Sequence, residues 1–497
     1  MDFIDPHIRR INKIKLLVGY CLITLAVIMT TLVLLYQAYG YGFGKNGQII
    51  QNGLVYISSN PNPASIYLNG VNTNNTTNAR LELQAGQYTV TLERSGYRNW
   101  QRAVGVEGGS VEQFYYPFLF PKDLVTTNVA SYSAQPGLIL QSPSRRYLLI
   151  QQPANDTTYD EYDLSVPKQL KPTEVTIPNN IATPDAAGVS STWQLVAWST
   201  DNVHVLLDRV TAGTNDYILF NIQTPDQSID LTKTLNLNNT TVPALVNNNY
   251  TNYYLFDQAA GTLSTASLSG PQPTPLLEHV LSYKSYGTSS VLYVTDNEAP
   301  TGTVLVRWLQ GSTDYTVRQL QAGATTYLLD LTQYSGNWYV VAGDSSESKT
   351  YVYENPQNIL GSQPVEPLVP VAILKVNDPT YEAFSANAQF IMAENGNSFS
   401  VYDADNSKSY SYITSPTMAA GEHATWMDGD RLIYTAGGHV IVFDYDDANQ
   451  QTLQPGVDGT LDYFDQSYKW SYNLNATTDP SNPFALSQTS MLIPTDQ

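Results

Sequence analysis

The stretch Trp198-Ser-Thr-Asp-Asn-Val-His-Val-Leu-Leu207 joins a polar turn to an apolar strand, and the same arrangement recurs along the chain. Successive copies lie 38 to 57 residues apart. A period of about 40–50 residues in an all-β pattern is typical of a β-propeller, in which each repeat forms one four-stranded blade. The other copies are segments 142–150, 252–256, 289–294, 335–341, 384–392, 426–434 and 464–472.

These copies predict a propeller over residues 122–497 with eight blades, or with seven as the alternative. Segment 125–134 is expected to add a strand to the last blade and so close the ring, and segment 491–494 is expected to be the last strand. Two or three stacked sandwiches are the competing architecture. That architecture predicts shorter, more regular spacing and linkers, whereas no Pro/Gly/Ser-rich linker follows residue 122.

The turn Trp198-Ser-Thr-Asp201 resembles the "Trp-Ser-x-Asp" turn that begins a strand in TolB-like and WD-like propeller blades. The other copies do not repeat these residues. The resemblance therefore implies a propeller without implying a particular activity.

A second all-β region lies nearer the N-terminus, at residues 53–121. Tyr88, Val90 and Leu92 alternate with polar residues, as expected for a strand with one buried face. Gly and Asn turns separate such runs about every ten residues. This pattern predicts a small β-sandwich, with Tyr97 and Trp100 packed in its core.

Two stretches of this region resemble a PEGA domain: Gly53-Leu-Val-Tyr-Ile-Ser-Ser-Asn-Pro-Asn-Pro-Ala-Ser-Ile-Tyr-Leu-Asn-Gly70 and Leu83-Gln-Ala-Gly-Gln-Tyr-Thr-Val-Thr-Leu-Glu-Arg-Ser-Gly-Tyr-Arg-Asn-Trp100. Ala85 stands where the family usually has proline. The resemblance implies a non-catalytic sandwich module of a prokaryotic surface or envelope protein, used for spacing or for contact with other molecules.

Residues 16–36 form an uncharged apolar run. About 20 apolar residues at 1.5 Å each span a hydrocarbon layer of about 30 Å. Arg9, Arg10, Lys13 and Lys15 precede the run, so the positive-inside bias places residues 1–15 in the cytoplasm and the C-terminal part outside. We therefore predict one transmembrane helix, followed by a juxtamembrane linker at 37–52. Cleavage after Gly40 as a signal peptide is the alternative, although the apolar run is longer than usual for one.

The chain carries a net charge of −20, with 24 basic and 44 acidic residues among 497. A negative field of this size repels phosphate backbones, so nucleic acid is not an expected partner. Cys21 is the only cysteine. It lies in the apolar run, so the outer part is expected to be held together by its core and not by disulfides.

The sequence offers no catalytic, cofactor-binding or metal-ligating residues that stand above a structural interpretation. A Gly-x-Ser-x-Gly motif is absent. The aspartate-rich segments 403–406 and 444–447 follow apolar strands and are interpreted as turns. None of the five histidines pairs at metal-ligand spacing, and His204 is expected in a core or at a strand edge. The histidines are His7, His204, His279, His423 and His439.

Three hypotheses of function follow. The first is a membrane-anchored extracytoplasmic binding or scaffold protein, in which the propeller contacts envelope proteins or surface glycans. The alternative is an extracytoplasmic hydrolase acting on glycans or peptides, which needs carboxylates that converge at the mouth of the propeller channel. The third is a component of an envelope assembly, bound to other membrane proteins through the sandwich and the helix.

Overall fold

A computed structural model of the protein describes residues 6–38, 40–43, 49–186, 188–362 and 367–496. The chain divides into two compact units. The first contains residues 1–123 together with 493–497, and the second contains residues 124–492.

The first unit begins with α1 (Pro6–Ala38), a helix of 33 residues. Its segment Lys13–Tyr36 has a mean hydropathy of 2.4, and none of it is buried inside the protein. It is the one helix in the described ranges that is long and apolar enough to cross a membrane. It extends beyond the predicted span of 16–36 at both ends.

The sandwich consists of two four-stranded sheets. The order β1-β2-β5, with β8 paired in parallel to β2, forms one sheet, and β4-β3-β6-β7 forms the other. Val90, Leu92, Tyr97 and Trp100 are fully buried in the shared core, as the alternation and the aromatic positions predicted. The strands are β1 (Tyr41–Phe43), β2 (Ile49–Ile57), β3 (Ser65–Leu68), β4 (Val71–Thr76), β5 (Ala79–Gln84), β6 (Gly86–Glu93), β7 (Trp100–Val106) and β8 (Val111–Phe114).

The C-terminal end of the chain completes this sandwich. Ile493 packs against the sandwich core, and its backbone N–H donates to the Tyr97 hydroxyl at 3.1 Å. That hydroxyl in turn donates to Asp496 Oδ2 at 2.7 Å. Burial, followed by the bond to the Asp496 carboxylate, raises the pKa of Tyr97 to about 12. The last residues therefore belong to the first unit and not to the propeller.

The second unit contains eight four-stranded sheets. The first four blades are β10 (Ile139–Gln141), β11 (Tyr147–Gln152), β12 (Asn155–Asp163) and β13 (Thr173–Thr176); β14 (Thr192–Trp198), β15 (His204–Thr211), β16 (Thr214–Asn221) and β17 (Ile229–Asp230); β18 (Thr241–Val246), β19 (Asn249–Asp257), β20 (Thr262–Ser267) and β21 (Gly270–Leu277); β22 (Val280–Tyr286), β23 (Ser290–Thr295), β24 (Thr303–Gln310) and β25 (Thr313–Gln321).

The last four blades follow the same antiparallel order. They are β26 (Tyr327–Tyr334), β27 (Asn337–Asp344), β28 (Thr350–Glu354) and β29 (Ala372–Leu374); β30 (Tyr381–Phe384), β31 (Phe390–Asn395), β32 (Ser398–Asp403) and β33 (Lys408–Ile413); β34 (Thr425–Trp426), β35 (Arg431–Ala436), β36 (His439–Asp444) and β37 (Gln451–Pro455); β38 (Tyr463–Phe464), β39 (Trp470–Ala476), β40 (Phe484–Ser490) and β9 (Val125–Tyr132). Two short helices, α2 (Leu231–Thr234) and α3 (Pro356–Leu360), lie in blades 2 and 5.

The eight blades form a closed ring. Shared apolar clusters join blades 1 to 2, 2 to 3, 3 to 4, 4 to 5 and 5 to 6. The rings of Phe399 and Phe443 join blades 6 and 7 at 5.6 Å, and Gln454 donates to Ser471 between blades 7 and 8. A further cluster joins blade 8 to blade 1. As predicted, the N-terminal strand β9 pairs with β40, so the chain closes the ring from both ends.

A shared turn explains the repeat in the sequence. In four blades the turn between the first and second strands has a residue with positive φ at its fourth position. The side chain of the first turn residue accepts a backbone N–H, as when Tyr147 N donates to Ser142 Oγ at 3.0 Å and Trp470 N to Asp465 Oδ1 at 2.8 Å. The positive-φ residues are Arg145, Asn202, Ala388 and Tyr468.

Some expectations need correction. Segment 491–494 forms no strand, because β40 ends at Ser490 and the chain then returns to the sandwich. The propeller therefore ends at residue 492 and not at 497. Strand β1 and the start of β2 lie inside the expected linker 37–52, of which residues 39 and 44–48 are outside the described residues. Neither seven blades nor stacked sandwiches describe the second unit.

Candidate functional site

The first strands of the blades are the innermost ones. Those of blades 4, 5 and 6 are direct neighbours, namely β22 with β26 and β26 with β30. Antiparallel order places the turns that join strands one to two and three to four on one side of the ring, which we call the AB/CD face. The opposite side, the BC/DA face, carries the turns that join strands two to three and the connections between blades.

Three charged side chains meet on these innermost strands, one from each of blades 4, 5 and 6: Lys284, Asp330 and Glu382, here called the axial cluster. Lys284 Nζ lies 3.6 Å from Asp330 Oδ1. The side chain of Lys284 is 51% exposed and that of Asp330 is 15% exposed, so solvent reaches the cluster from one side. Burial raises the pKa of Asp330, and the nearby Lys284 ammonium opposes that rise.

Glu382 is the most desolvated member of the axial cluster. Its Oε2 atom is buried and has no hydrogen-bond partner among the described residues. Burial raises the pKa of Glu382 well above its ordinary value, and the adjacent Asp330 carboxylate raises it further. Two carboxyls therefore share one nearby cation, and the more buried carboxyl retains a proton under conditions where an exposed glutamate is ionised.

A histidine and a buried glutamate lie next to this cluster. Glu394 is completely buried and accepts from His423 Nδ1 at 2.9 Å and from the backbone N–H of Ala424 at 3.2 Å. The imidazole stacks on the Tyr381 ring, with centroids 4.5 Å apart. The hydrogen bond to Glu394 raises the pKa of His423, while burial raises that of Glu394.

Tyr381 connects the two groups. Burial raises its pKa to about 12, and the carboxylates of Glu394, Glu382 and Asp330 each contribute to the rise. Titratable side chains with shifted pKa values thus lie together over blades 4–6 and the strand connection that leads into blade 7. Such an arrangement can exchange protons with a bound molecule, and it can also contact a cationic group.

The residues singled out in the sequence lie elsewhere, except His423. His204 is the first residue of β15. Its Nδ1 lies 2.6 Å from Asp201 Oδ2, and its ring stacks on that of Tyr250. Asp403 and Asp444 end strands and accept hydrogen bonds within the following turns. The His7 side chain lies outside the described part of the chain. Within that part, no three His, Cys, Asp or Glu side chains are arranged to hold a metal ion.

Sequence reasoning did not find the axial cluster. Asp330 and Glu382 belong to different blades, and no local motif links them. The available signal was the interruption of the apolar strand β26 by Asp330, between the buried residues Leu329 and Leu331. A carboxylate at such a position costs free energy unless it has a partner, so it indicates a nearby cation or a functional site.

Comparison with known proteins identifies part of the chain. Residues 52–118 match the family model described as the PEGA domain. This range agrees with the expected 53–121. No curated protein matches the sequence.

Solved structures of other proteins are similar to the chain at low identity. The Dos1 propeller has 11% identity and a TM-score of 0.44, with 74% of this chain and 94% of that chain covered. An oligogalacturonate lyase from Vibrio parahaemolyticus has 8% identity and a TM-score of 0.37, with coverage of 74% and 98%. The dihydro-heme d1 dehydrogenase NirN has 13% identity and a TM-score of 0.41, with coverage of 75% and 71%. The chain combines a PEGA domain with a β-propeller.

Proposed function

We propose that this protein is a membrane-anchored extracytoplasmic binding or scaffold protein, whose propeller contacts proteins or glycans at the cell envelope. The observation that carries the proposal is the apolar helix α1, which is unburied along Lys13–Tyr36 and is followed by a PEGA domain at 52–118. An apolar surface of that length is costly in water and is stable in a lipid bilayer.

The charge distribution supports an outward-facing propeller. Arg9, Arg10, Lys13 and Lys15 lie at the N-terminal end of α1, and the positive-inside bias assigns that end to the cytoplasm. The propeller offers the turns and the inter-blade connections of its two faces for contact, and the hydrogen-bonded strands of each blade fix the ends of these segments. Rigid display lowers the ordering cost of binding.

The test is crosslinking in intact cells that express the full-length protein, followed by its purification and identification of the attached molecules. Recovery of defined envelope proteins or of surface polysaccharide supports the proposal and identifies the partner class. Repeated recovery of neither, under conditions where a known envelope complex is captured, contradicts it. Glu278, an exposed glutamate of the propeller, provides the control substitution for the test of the second candidate function.

A second candidate function, an extracytoplasmic hydrolase for glycans or peptides, is favoured by the axial cluster. A retained proton on Glu382 suits a general acid, and Asp330 supplies a second carboxyl nearby. We expect Glu382→Gln in the full-length protein to lower any hydrolytic turnover at least 100-fold, whereas Glu278→Gln leaves it unchanged. Turnover that survives Glu382→Gln contradicts a role of the axial cluster in hydrolysis.

A further inference from the structure

A pocket opens on the AB/CD face where blade 8 meets blade 1. Its cavity volume is about 390 Å³. Small-ligand pockets are usually about 300–1,000 Å³ in volume. The pocket lies between the first turn of blade 1, the segment that follows β12, and the first turn of blade 8. We call it the ring-closure pocket, and the residues that define it are Arg145, Arg146, Asp465, Lys469 and Trp470.

The ring-closure pocket concentrates positive charge in an otherwise acidic unit. Residues 124–492 contain 14 of the chain's 24 lysines and arginines, and three of them line this one pocket. Asp465 is the one carboxylate in the lining. Its oxygens already accept from Trp470 N at 2.8 Å and from Ser467 N at 3.3 Å. The more distant acidic residues are screened beyond about 10 Å at 0.1 M salt.

The guanidinium of Arg145 is held in a fixed position. Its Nη2 donates to the carbonyl of Met427 in blade 7 at 2.8 Å, and its Cζ lies 4.4 Å from the centroid of the Tyr468 ring. No carboxylate forms an ion pair with it among the described residues. A cation that is held by a carbonyl and an aromatic ring keeps its full charge for a ligand.

The other two cations lie at the pocket surface, where Arg146 is ion-paired with Asp163 and Lys469 is exposed. Arg146 binds Asp163 through Nε and Nη2, the latter at 2.7 Å, and its side chain is 53% exposed. Its Nη1 forms no hydrogen bond within the described chain. Lys469 is exposed and forms no ion pair there. An anion can therefore contact Lys469 and the free Nη1 of Arg146 beside the guanidinium of Arg145.

The neutral groups of the lining narrow the class of anion. Trp470 supplies an aromatic surface, and the hydroxyl oxygens of Ser144, Ser165 and Ser467 can accept hydrogen bonds. Phosphate and a simple carboxylate have no ring to place on the Trp470 indole. A sugar ring that carries a carboxylate uses the cations, the hydroxyls and the aromatic surface together.

We infer that the ring-closure pocket binds a carboxylated sugar residue of an acidic glycan. This inference rests on the proposed function, because it specifies the glycan class that the displayed propeller contacts. The carboxylate lies among the three cations, and the ring hydroxyls exchange hydrogen bonds with the serines. The axial cluster takes no part in this binding, so the two sites are separable by mutation.

The experiment is isothermal titration calorimetry of the full-length protein in detergent at 0.15 M NaCl. The probes are D-glucuronate, D-glucose and inorganic phosphate. We expect glucuronate to bind at least tenfold more tightly than either of the other two. The double variant R146Q/K469Q is expected to lose at least tenfold in affinity. The control K349Q/K375Q removes two exposed lysines elsewhere in the propeller and is expected to bind as the wild type does.

Three results overturn the inference. They are glucose binding as tight as glucuronate binding, phosphate binding as tight or tighter, and undiminished glucuronate binding by R146Q/K469Q. Equal unfolding temperatures of the variants and the wild type show that a change in binding does not result from a change in folding. If glucuronate does not bind as expected but envelope proteins are still captured in cells, the sugar-binding role of the ring-closure pocket is refuted and the scaffold role is not. Failed capture in cells, together with intact glucuronate binding, refutes the scaffold role alone.

Discussion

Arg94 and Asp496 are 402 positions apart in the sequence and form an ion pair in the sandwich. Arg94 Nη2 donates to both carboxylate oxygens at 2.9 Å, and each side chain is 19% exposed. Tyr97 donates to the same carboxylate. The bond from Tyr97 and the Arg94 guanidinium hold the pKa of Asp496 below its ordinary value. The sandwich therefore contains residues that follow the propeller in the sequence.

Asp496→Ala is expected to destabilise the sandwich by about 1–3 kcal/mol, because it removes charge-assisted hydrogen bonds from the partly buried Arg94 guanidinium and from the buried Tyr97 side chain. Hydrogen exchange at the amides of β6 and β7 measures the effect, since local opening there does not require the propeller to unfold. Asp479→Ala, a change in an exposed propeller loop, is the control. Equal protection of β6 and β7 in the wild type and in Asp496→Ala contradicts the prediction.

Gly96→Ala is expected to weaken the same contact by a second route. Gly96 has φ +81°, and a Cβ added there lies 3.1 Å from Ile493 Cδ1. Gly70 is a matched control, because its φ is +80° and a Cβ added there meets nothing within 4 Å. Both changes cost about 1 kcal/mol through the backbone. Thermal unfolding should show a larger loss of stability for Gly96→Ala than for Gly70→Ala. Equal losses would mean that a Cβ at position 96 does not clash with Ile493.

Closure of the ring can be tested at Leu486. This residue lies in β40, between β39 and β9, and is buried in the cluster that joins blade 8 to blade 1. Leu486→Ala is expected to cost about 2–5 kcal/mol of propeller stability, measured by urea unfolding. The control is Leu461→Ala at a leucine that is 39% exposed, with an expected cost of about 0.5 kcal/mol or less. Similar costs at the two positions would show that the cluster does not hold the ring closed.

Much of the propeller could be predicted from the sequence, because each blade repeats a polar turn and an apolar strand. The number of blades could be predicted from the turns between first and second strands, although these turns have few residue types in common. Arg145, Asn202, Ala388 and Tyr468 occupy the same positive-φ position with four different side chains. Backbone geometry is conserved among these turns where residue identity is not, and for this reason only Trp198-Ser-Thr-Asp201 resembled a known blade turn.

Long-range placements could not be predicted in the same way. Segment 491–494 is too short to show a period, and Ile493 contacts Tyr97, which lies 396 residues away. The prediction of a strand there is therefore wrong. Asp330 and Glu382 come together because consecutive blades place their first strands side by side. Sequence spacing gives the order of the blades and not the height of each strand along the axis. The axial cluster therefore becomes visible only in three dimensions.

The pKa of Glu382 predicts how propeller stability depends on pH. An exposed glutamate ionises near pH 4.3, whereas burial and the adjacent Asp330 raise the pKa of Glu382 in the folded state. The contribution of Glu382 to the free energy of unfolding is therefore fully present below about pH 4. It is lost as the pH rises towards the pKa of Glu382 in the folded state. Relative to the wild type, Glu382→Gln is expected to be equally stable at pH 4 and more stable at pH 8. Urea unfolding across this range measures the difference, and a constant difference at all pH values contradicts it.

The most direct test of the account asks on which side of the membrane the propeller lies. Cys21 is the only cysteine, so Cys21→Ser provides a background for single cysteines at exposed Ser269 in blade 3 and at Asp2. A membrane-impermeant maleimide is applied to intact cells and to lysed cells. The account predicts that Ser269→Cys is labelled in intact cells and that Asp2→Cys is labelled only after lysis. Labelling of Ser269→Cys only after lysis would place the propeller in the cytoplasm and contradict the proposed extracytoplasmic role.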